Sequence, residues 1–212
     1  MQAMRSLEIE TPRGLARAGL HRVAGHRGAL LLHHGAGGGV DAPDLQAASD
    51  AARGQGLSVA LIEQPYRVAG RRAPAPAAQL DDVWLAVVAR LQARELRAVP
   101  LIFGGRSMGG RVACRTATAG GAVAVLCLAF PLLPPARAKA SKPPVSRLSE
   151  LEAAGVPTLV VQGARDPFGM PPAGAGRTVI EVAGDHSLRS DIAAVRAGVS
   201  GWLADLGPKL NA

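Results

Sequence analysis

The sequence predicts an α/β fold, a mostly parallel central sheet with helices on both faces. Two observations predict it. Apolar runs of strand length alternate along the chain with segments whose apolar residues recur at helical spacing. One such run, residues 99–103, leads through Gly104 and Gly105-Arg106-Ser107-Met108-Gly109 into an Ala/Arg-rich, helix-compatible stretch at 110–118. The chain of 212 residues suits one domain over 1–212 and leaves little room for a large cap.

Taken in order, residues 7–11 and part of 19–24 read as early antiparallel edge strands. Ala29-Leu30-Leu31-Leu32 is the first core strand. A helix is expected over 44–53, with Asp41 as a possible N-cap and Pro43 near its first turn. Residues 57–62 read as a strand. Over 80–97, Leu80, Val83, Trp84, Val87, Val88 and Leu91 recur as a helix stripe. Strands at 99–103, 123–130, 158–161 and 178–182 complete the sheet, and 188–206 is the closing helix. The run Pro157-Thr158-Leu159-Val160-Val161-Gln162 is nearly continuous in apolar residues, as parallel strands buried on both faces are. Proline-rich stretches at 65–77 and 131–144 break this rhythm. Both follow the C-terminal ends of core strands, the edge where open α/β sheets bind ligands. They read either as ordinary surface loops or as walls of a substrate cleft.

The turn at 105–109 is a G-x-S-x-G motif between strand and helix. That is the nucleophile elbow of α/β-hydrolases, which lifts a serine hydroxyl clear of the sheet. Glycine is needed at 105 and 109 because the turn brings strand and helix too close for side chains. The fold then requires an acid and a histidine downstream, in that order. Of the five histidines, at 21, 26, 33, 34 and 186, only His186 follows Ser107. It lies in a loop after the last strand. Asp166, in the loop after strand 158–161, is the expected acid. Asp185 is the rival, but a side chain rarely bends round to orient its own neighbour's ring. An oxyanion hole needs the amide after the nucleophile, Met108, and a second from a glycine-rich loop after an early strand. His33-His34-Gly35-Ala36-Gly37-Gly38-Gly39 is that loop, with Ala36 as the expected donor and Gly37 second.

Composition narrows the alternatives. The net charge is +8, carried by 21 Arg against 3 Lys, scattered singly or in pairs. Six aromatics provide no stacking platform of the kind single-strand binders use, so no nucleic-acid partner is expected. Residues 122–133 are too short an apolar stretch to span a bilayer. Glu8 and Glu10 interrupt the N-terminal segment, which does not read as a signal peptide, so a cytoplasmic location and no membrane partner are expected. Cys114 and Cys127 read as buried free thiols. His33 and His34 are adjacent, tend to point apart and have no accompanying cluster, so no metal is expected. His34 is expected to hydrogen-bond locally and shape the oxyanion loop, and His21 and His26 to be solvated loop residues. Gly37-Gly38-Gly39-Val40-Asp41-Ala42, with Glu63 ending the next strand, formally matches a dinucleotide fingerprint. That reading leaves Ser107, Asp166 and His186 unexplained, and no cofactor is expected.

The assembled motifs resemble those of a branch of the α/β-hydrolases. The stretches that carry the resemblance are His34-Gly35-Ala36-Gly37-Gly38, Arg72-Ala73-Pro74 and Gly104-Gly105-Arg106-Ser107-Met108-Gly109-Gly110-Arg111. Further along come Phe130-Pro131-Leu132-Leu133-Pro134-Pro135, Gln162-Gly163-Ala164-Arg165-Asp166-Pro167-Phe168 and Gly184-Asp185-His186-Ser187-Leu188. The branch is that of small proteins related to dienelactone hydrolases. It includes a vertebrate testis-expressed protein and the hydrolase-like domain of the third regulatory subunit of the non-specific-lethal histone acetyltransferase complex. The resemblance covers about 30–188 and implies a compact hydrolase fold with a Ser107–Asp166–His186 triad. The chain departs from dienelactone hydrolases by carrying Ser rather than Cys at the nucleophile.

The expected function is that of a serine esterase acting on a small or medium acyl ester or thioester. Tyr66, Leu132, Phe168 and Met170 are the expected cleft walls. The alternative is a non-catalytic interaction module on the same fold.

Overall fold

The computed structural model describes residues 3–134 and 144–210. Eight strands form one sheet in the order β1-β2-β4-β3-β5-β6-β7-β8. β1 (Arg5–Thr11) and β2 (Gly14–His21) form an antiparallel hairpin, and β2 pairs antiparallel with β4 (Ser58–Glu63). From β4 onward the sheet is parallel, through β3 (Ala29–His33), β5 (Leu101–Arg106), β6 (Ala122–Leu128), β7 (Thr158–Gly163) and β8 (Arg177–Val182).

The two-residue period of the strands divides the core. In β3, Ala29 and Leu31 face one layer while Leu30 and Leu32 face the other. The first layer is covered by α3 (Ala77–Ala93), α4 (Met108–Thr116) and the short α5 (Leu148–Glu152), through Leu80, Trp84, Val112 and Leu151. The second is covered by α1 (Pro43–Gly54) and α6 (Ile192–Leu210), through Leu45, Ala48, Val195, Val199 and Leu203. No helix among the described residues is long and apolar enough to cross a membrane. Cys114 and Cys127 are both buried and free, with sulfurs 3.5 Å apart across α4 and β6.

Several boundaries differ from expectation. β2 begins at Gly14 because Ala16, Ala18 and Leu20 alternate inward, a pattern that small residues hide. His21 therefore ends a strand and is half-buried rather than solvated, and His26 is also half-buried. Ala42, not Asp41, precedes α1, and no side chain caps that helix. α3 ends at Ala93, short of 97, and α6 starts at Ile192 because Leu188 sits at φ 53° and breaks the helix before it forms. Ala129 at φ 50° ends β6 early in the same way. The first proline-rich stretch opens with a short helix, α2 (Pro65–Val68). Residues 135–143 of the second lie outside the described residues.

Candidate active site

Ser107 stands at the tip of β5, immediately before α4, with φ 52° and ψ −110°. A non-glycine residue in that region is strained, and the surroundings hold it there. Its N–H donates to the Leu128 carbonyl at 2.8 Å, and its carbonyl accepts from the Arg111 N–H at 3.3 Å. The flanking glycines are required by contact. A Cβ on Gly105 would lie 2.6 Å from the Gly109 backbone, and one on Gly109 would run into the His33 carbonyl.

His186 reaches the elbow from the loop after β8. Its Nε2 lies 2.9 Å from Ser107 Oγ and its Nδ1 lies 2.7 Å from Asp166 Oδ2. A carboxylate only accepts, so Nδ1 carries the proton and Nε2 offers its lone pair to the serine hydroxyl. Asp166 is held from two further sides. Gln162 Nε2 donates to its Oδ2 at 2.8 Å, and the Phe168 N–H donates to its Oδ1 at 2.9 Å. The Phe168 ring meets the imidazole edge-on, with centroids 4.5 Å apart. Asp185 is turned away: its Oδ1 accepts from the Ser187 N–H and hydroxyl, which hold its carboxyl below the usual range.

The glycine-rich loop is pinned from beneath. Buried His34 donates from Nδ1 to the Gly35 carbonyl at 2.7 Å and accepts the Gln64 N–H on Nε2 at 3.1 Å. Burial lowers its pKa to about 4, so the ring stays neutral and keeps this tautomer. Tyr66 donates its hydroxyl to the Ala36 carbonyl at 3.0 Å, and burial raises its pKa to about 12. Ala36, Gly37 and Met108 all border the cleft that contains Ser107 and His186. Among the described residues, the Ala36 and Met108 amides donate to no protein acceptor.

The cleft measures about 530 Å³. Pro74, Ala75, Leu80, Pro131 and Phe168 line it beside the catalytic candidates. Three of the four expected wall residues are placed elsewhere. Tyr66 is buried behind the glycine-rich loop, its hydroxyl occupied by Ala36. Leu132 lies against Gly169, and neither it nor Met170, which is 37% exposed, borders the cleft. A larger hollow of about 620 Å³, by His21, Arg53 and Arg196, lies at the opposite edge, where His21 pairs with Val59 at the start of β4. It holds none of these groups.

Arginines are the part of the site the sequence reading passed over as composition. Arg106, Arg111, Arg115 and Arg147 all line the cleft. Arg106 joins three segments: its guanidinium lies 2.9 Å from the fully buried Asp44 of α1 and donates to the His186 carbonyl at 2.9 Å. Arg111 makes a two-pronged pair with Glu150, and Arg115 one with Asp81. The available signal was positional, since Arg111 and Arg115 fall one turn apart on the helix that begins after Ser107.

Residues 26–192 match the model of the alpha/beta hydrolase domain family. The chain belongs to that family. A comparison with curated proteins found no match. Among solved structures, this hydrolase-family chain is similar to XC6422 from Xanthomonas campestris, described as an α/β serine hydrolase without a lid. The two share 18% identity over 97% of this chain and 95% of that one, with a TM-score of 0.73. It is also similar to a dienelactone hydrolase from Anabaena variabilis (16% identity, 95% and 97% coverage, TM-score 0.73). Est1E from Butyrivibrio proteoclasticus is another such structure (13% identity, 94% and 98% coverage, TM-score 0.73). At these identities the likeness concerns the fold.

Proposed function

We propose that the protein is a serine hydrolase of esterase type that cleaves a small or medium acyl ester or thioester through an acyl-enzyme. The observation that carries this reading is the unbroken chain of contacts from Ser107 Oγ through His186 to Asp166, opening onto the cleft. In the first step Ser107 Oγ attacks the acyl carbon while His186 Nε2 takes its proton, and Asp166 stabilises the imidazolium. The negative charge that develops on the carbonyl oxygen falls to the Met108 and Ala36 amides. His186 then returns the proton to the leaving alkoxide or thiolate. In the second step it takes a proton from water, whose oxygen attacks the acyl-serine, and passes that proton to the departing Ser107 Oγ, which frees the serine hydroxyl with a carboxylic acid product.

The motif set around 34–38, 104–111, 130–135, 162–168 and 184–188 supports a place in the branch related to dienelactone hydrolases. Serine at the nucleophile position argues for ordinary esters over dienelactone as substrates. We place the protein in the cytoplasm, with a small acyl compound as its partner.

A fluorophosphonate probe tests the reading. It should label the protein at Ser107, and Ser107→Ala should abolish labelling and lower any esterase kcat/KM by at least about 1,000-fold with the unfolding midpoint retained. A folded protein that takes no label and turns over no ester would leave the interaction-module reading in its place.

A further inference from the structure

The wall of the cleft on the α4–α5 side holds more positive than negative charge. Arg111 donates from Nε and Nη2 to both oxygens of Glu150, each at 2.7 Å. Arg115 holds both oxygens of Asp81, and its Nη1 adds a third contact to Glu150 at 3.0 Å. Three guanidinium groups thus share two carboxylates, and Arg147 is the one left over. Its Nη1 donates to the Pro131 and Leu133 carbonyls at 3.1 and 3.3 Å, which fixes the head of the side chain without neutralising it. Among the described residues Arg147 makes no ion pair. The sequence of 135–143 contains no Asp or Glu to supply one. Burial and the neighbouring Arg111 and Arg115 charges weigh against its protonated form, and Glu150, shared with those two arginines, offsets them only in part.

We infer that the cleft takes esters bearing a carboxylate, and that the Arg147 guanidinium receives that carboxylate. The inference rests on the esterase reading above. An unmatched guanidinium beside a reactive serine favours an anion, because its planar fork meets a carboxylate with two donors. The carbon part of the substrate has Pro74, Ala75, Leu80 and Phe168 to cover it. Ser107 and Arg147 line the same cleft of about 530 Å³, so a small substrate can touch both.

Two sets of alkyl esters test this and locate the carboxylate. In one, ethyl half-esters of succinate, glutarate and adipate are each compared with the neutral ester in which an isopropyl group replaces the carboxylate. In the other, O-butyryl hydroxy acids are compared with the matching O-butyryl branched alcohols. The expected result is a kcat/KM for the anionic member at least about tenfold higher in one set, falling as salt is raised. Arg147→Gln should bring that ratio toward one, and Arg147→Lys should preserve part of it. Binding of 4-oxoheptanoate against 4-heptanone, measured by calorimetry, reads the same preference without turnover.

Ratios below about threefold in every pair, or no tighter binding of the oxo-acid, would overturn the inference. So would a ratio that survives Arg147→Gln in a variant with the wild-type unfolding midpoint. Should that variant not fold, loss of the wild-type ratio in high salt carries the charge argument, and a salt-independent ratio refutes it. Labelling of Ser107 with turnover of neutral esters only would sink this inference and leave the hydrolase reading standing. Absence of labelling would sink the latter.

Discussion

Asp166→Asn removes one charge and one acceptor at the base of the Ser107–His186 contact, and the surroundings determine its effect. Asp166 Oδ2 accepts from His186 Nδ1 and Gln162 Nε2, and Oδ1 accepts from the Phe168 N–H. Gln162 cannot turn its oxygen toward position 166. Its Nε2 also donates to the carbonyls of Phe130 and Gly169, at 3.1 and 3.0 Å, which would then face an oxygen. The asparagine therefore has two poor choices. With its oxygen toward His186, the tautomer survives but the imidazolium loses its counter-charge, and the new NH2 faces the Phe168 N–H. With its NH2 toward His186, it confronts two donors and forces the ring proton onto Nε2, where it points at Ser107.

Loss of a charged hydrogen-bond partner costs about 1.5–3 kcal/mol, and an inverted tautomer up to about 10,000-fold in rate. The expected fall in kcat/KM is between about 10- and 10,000-fold, or roughly 1.5–5.5 kcal/mol of barrier. The orphaned donor also costs about 1–3 kcal/mol of stability, since the Asp166 side chain is only 1% exposed. Steady-state hydrolysis of p-nitrophenyl butyrate, with urea unfolding on the same sample, measures both. A loss smaller than tenfold in a stable variant would refute the role given to Asp166.

Two further outcomes follow from the same geometry. His34 is neutral in the fold with a pKa near 4, whereas it titrates near 6.5 unfolded, so the unfolded chain binds the extra proton between those values. Its contribution is fully present above about pH 6.5 and is lost as pH falls toward 4, by about 3 kcal/mol; urea midpoints across this range should fall, and fall less for His34→Gln. Acyl length is the other: no described element covers the cleft beyond its 530 Å³, so each methylene left in water forgoes about 0.8 kcal/mol. Acetyl through palmitoyl p-nitrophenyl esters should peak at short or medium length, and a palmitoyl maximum would refute an open, short cleft.

Local chemistry carried much of the site into the sequence. The glycines at 105 and 109, the single histidine after Ser107, and the acid after a buried strand each follow from what one short segment must do. So does the placing of Ala36 in a glycine loop after β3. The core strands were legible because a strand buried on both faces must be apolar throughout. Boundaries were less so where the backbone turns left-handed at non-glycine residues, as at Ala129 and Leu188, because nothing in those side chains announces it.

Only the tertiary structure decided which residues meet. Tyr66 looked like a cleft wall because it follows a strand end, yet its ring is buried and its hydroxyl braces Ala36 across 30 positions. Asp44 read as the start of a helix, but it is wholly buried beside Arg106, which in turn holds the His186 carbonyl 80 positions away. The arginines read as charge scattered singly or in pairs until α4 and α5 brought three of them to one wall with two carboxylates between them. The physical reason is common to all three. A motif encodes the backbone a segment must adopt, whereas the partner of a long polar side chain is set by which distant segment the packed layers bring within 3 Å.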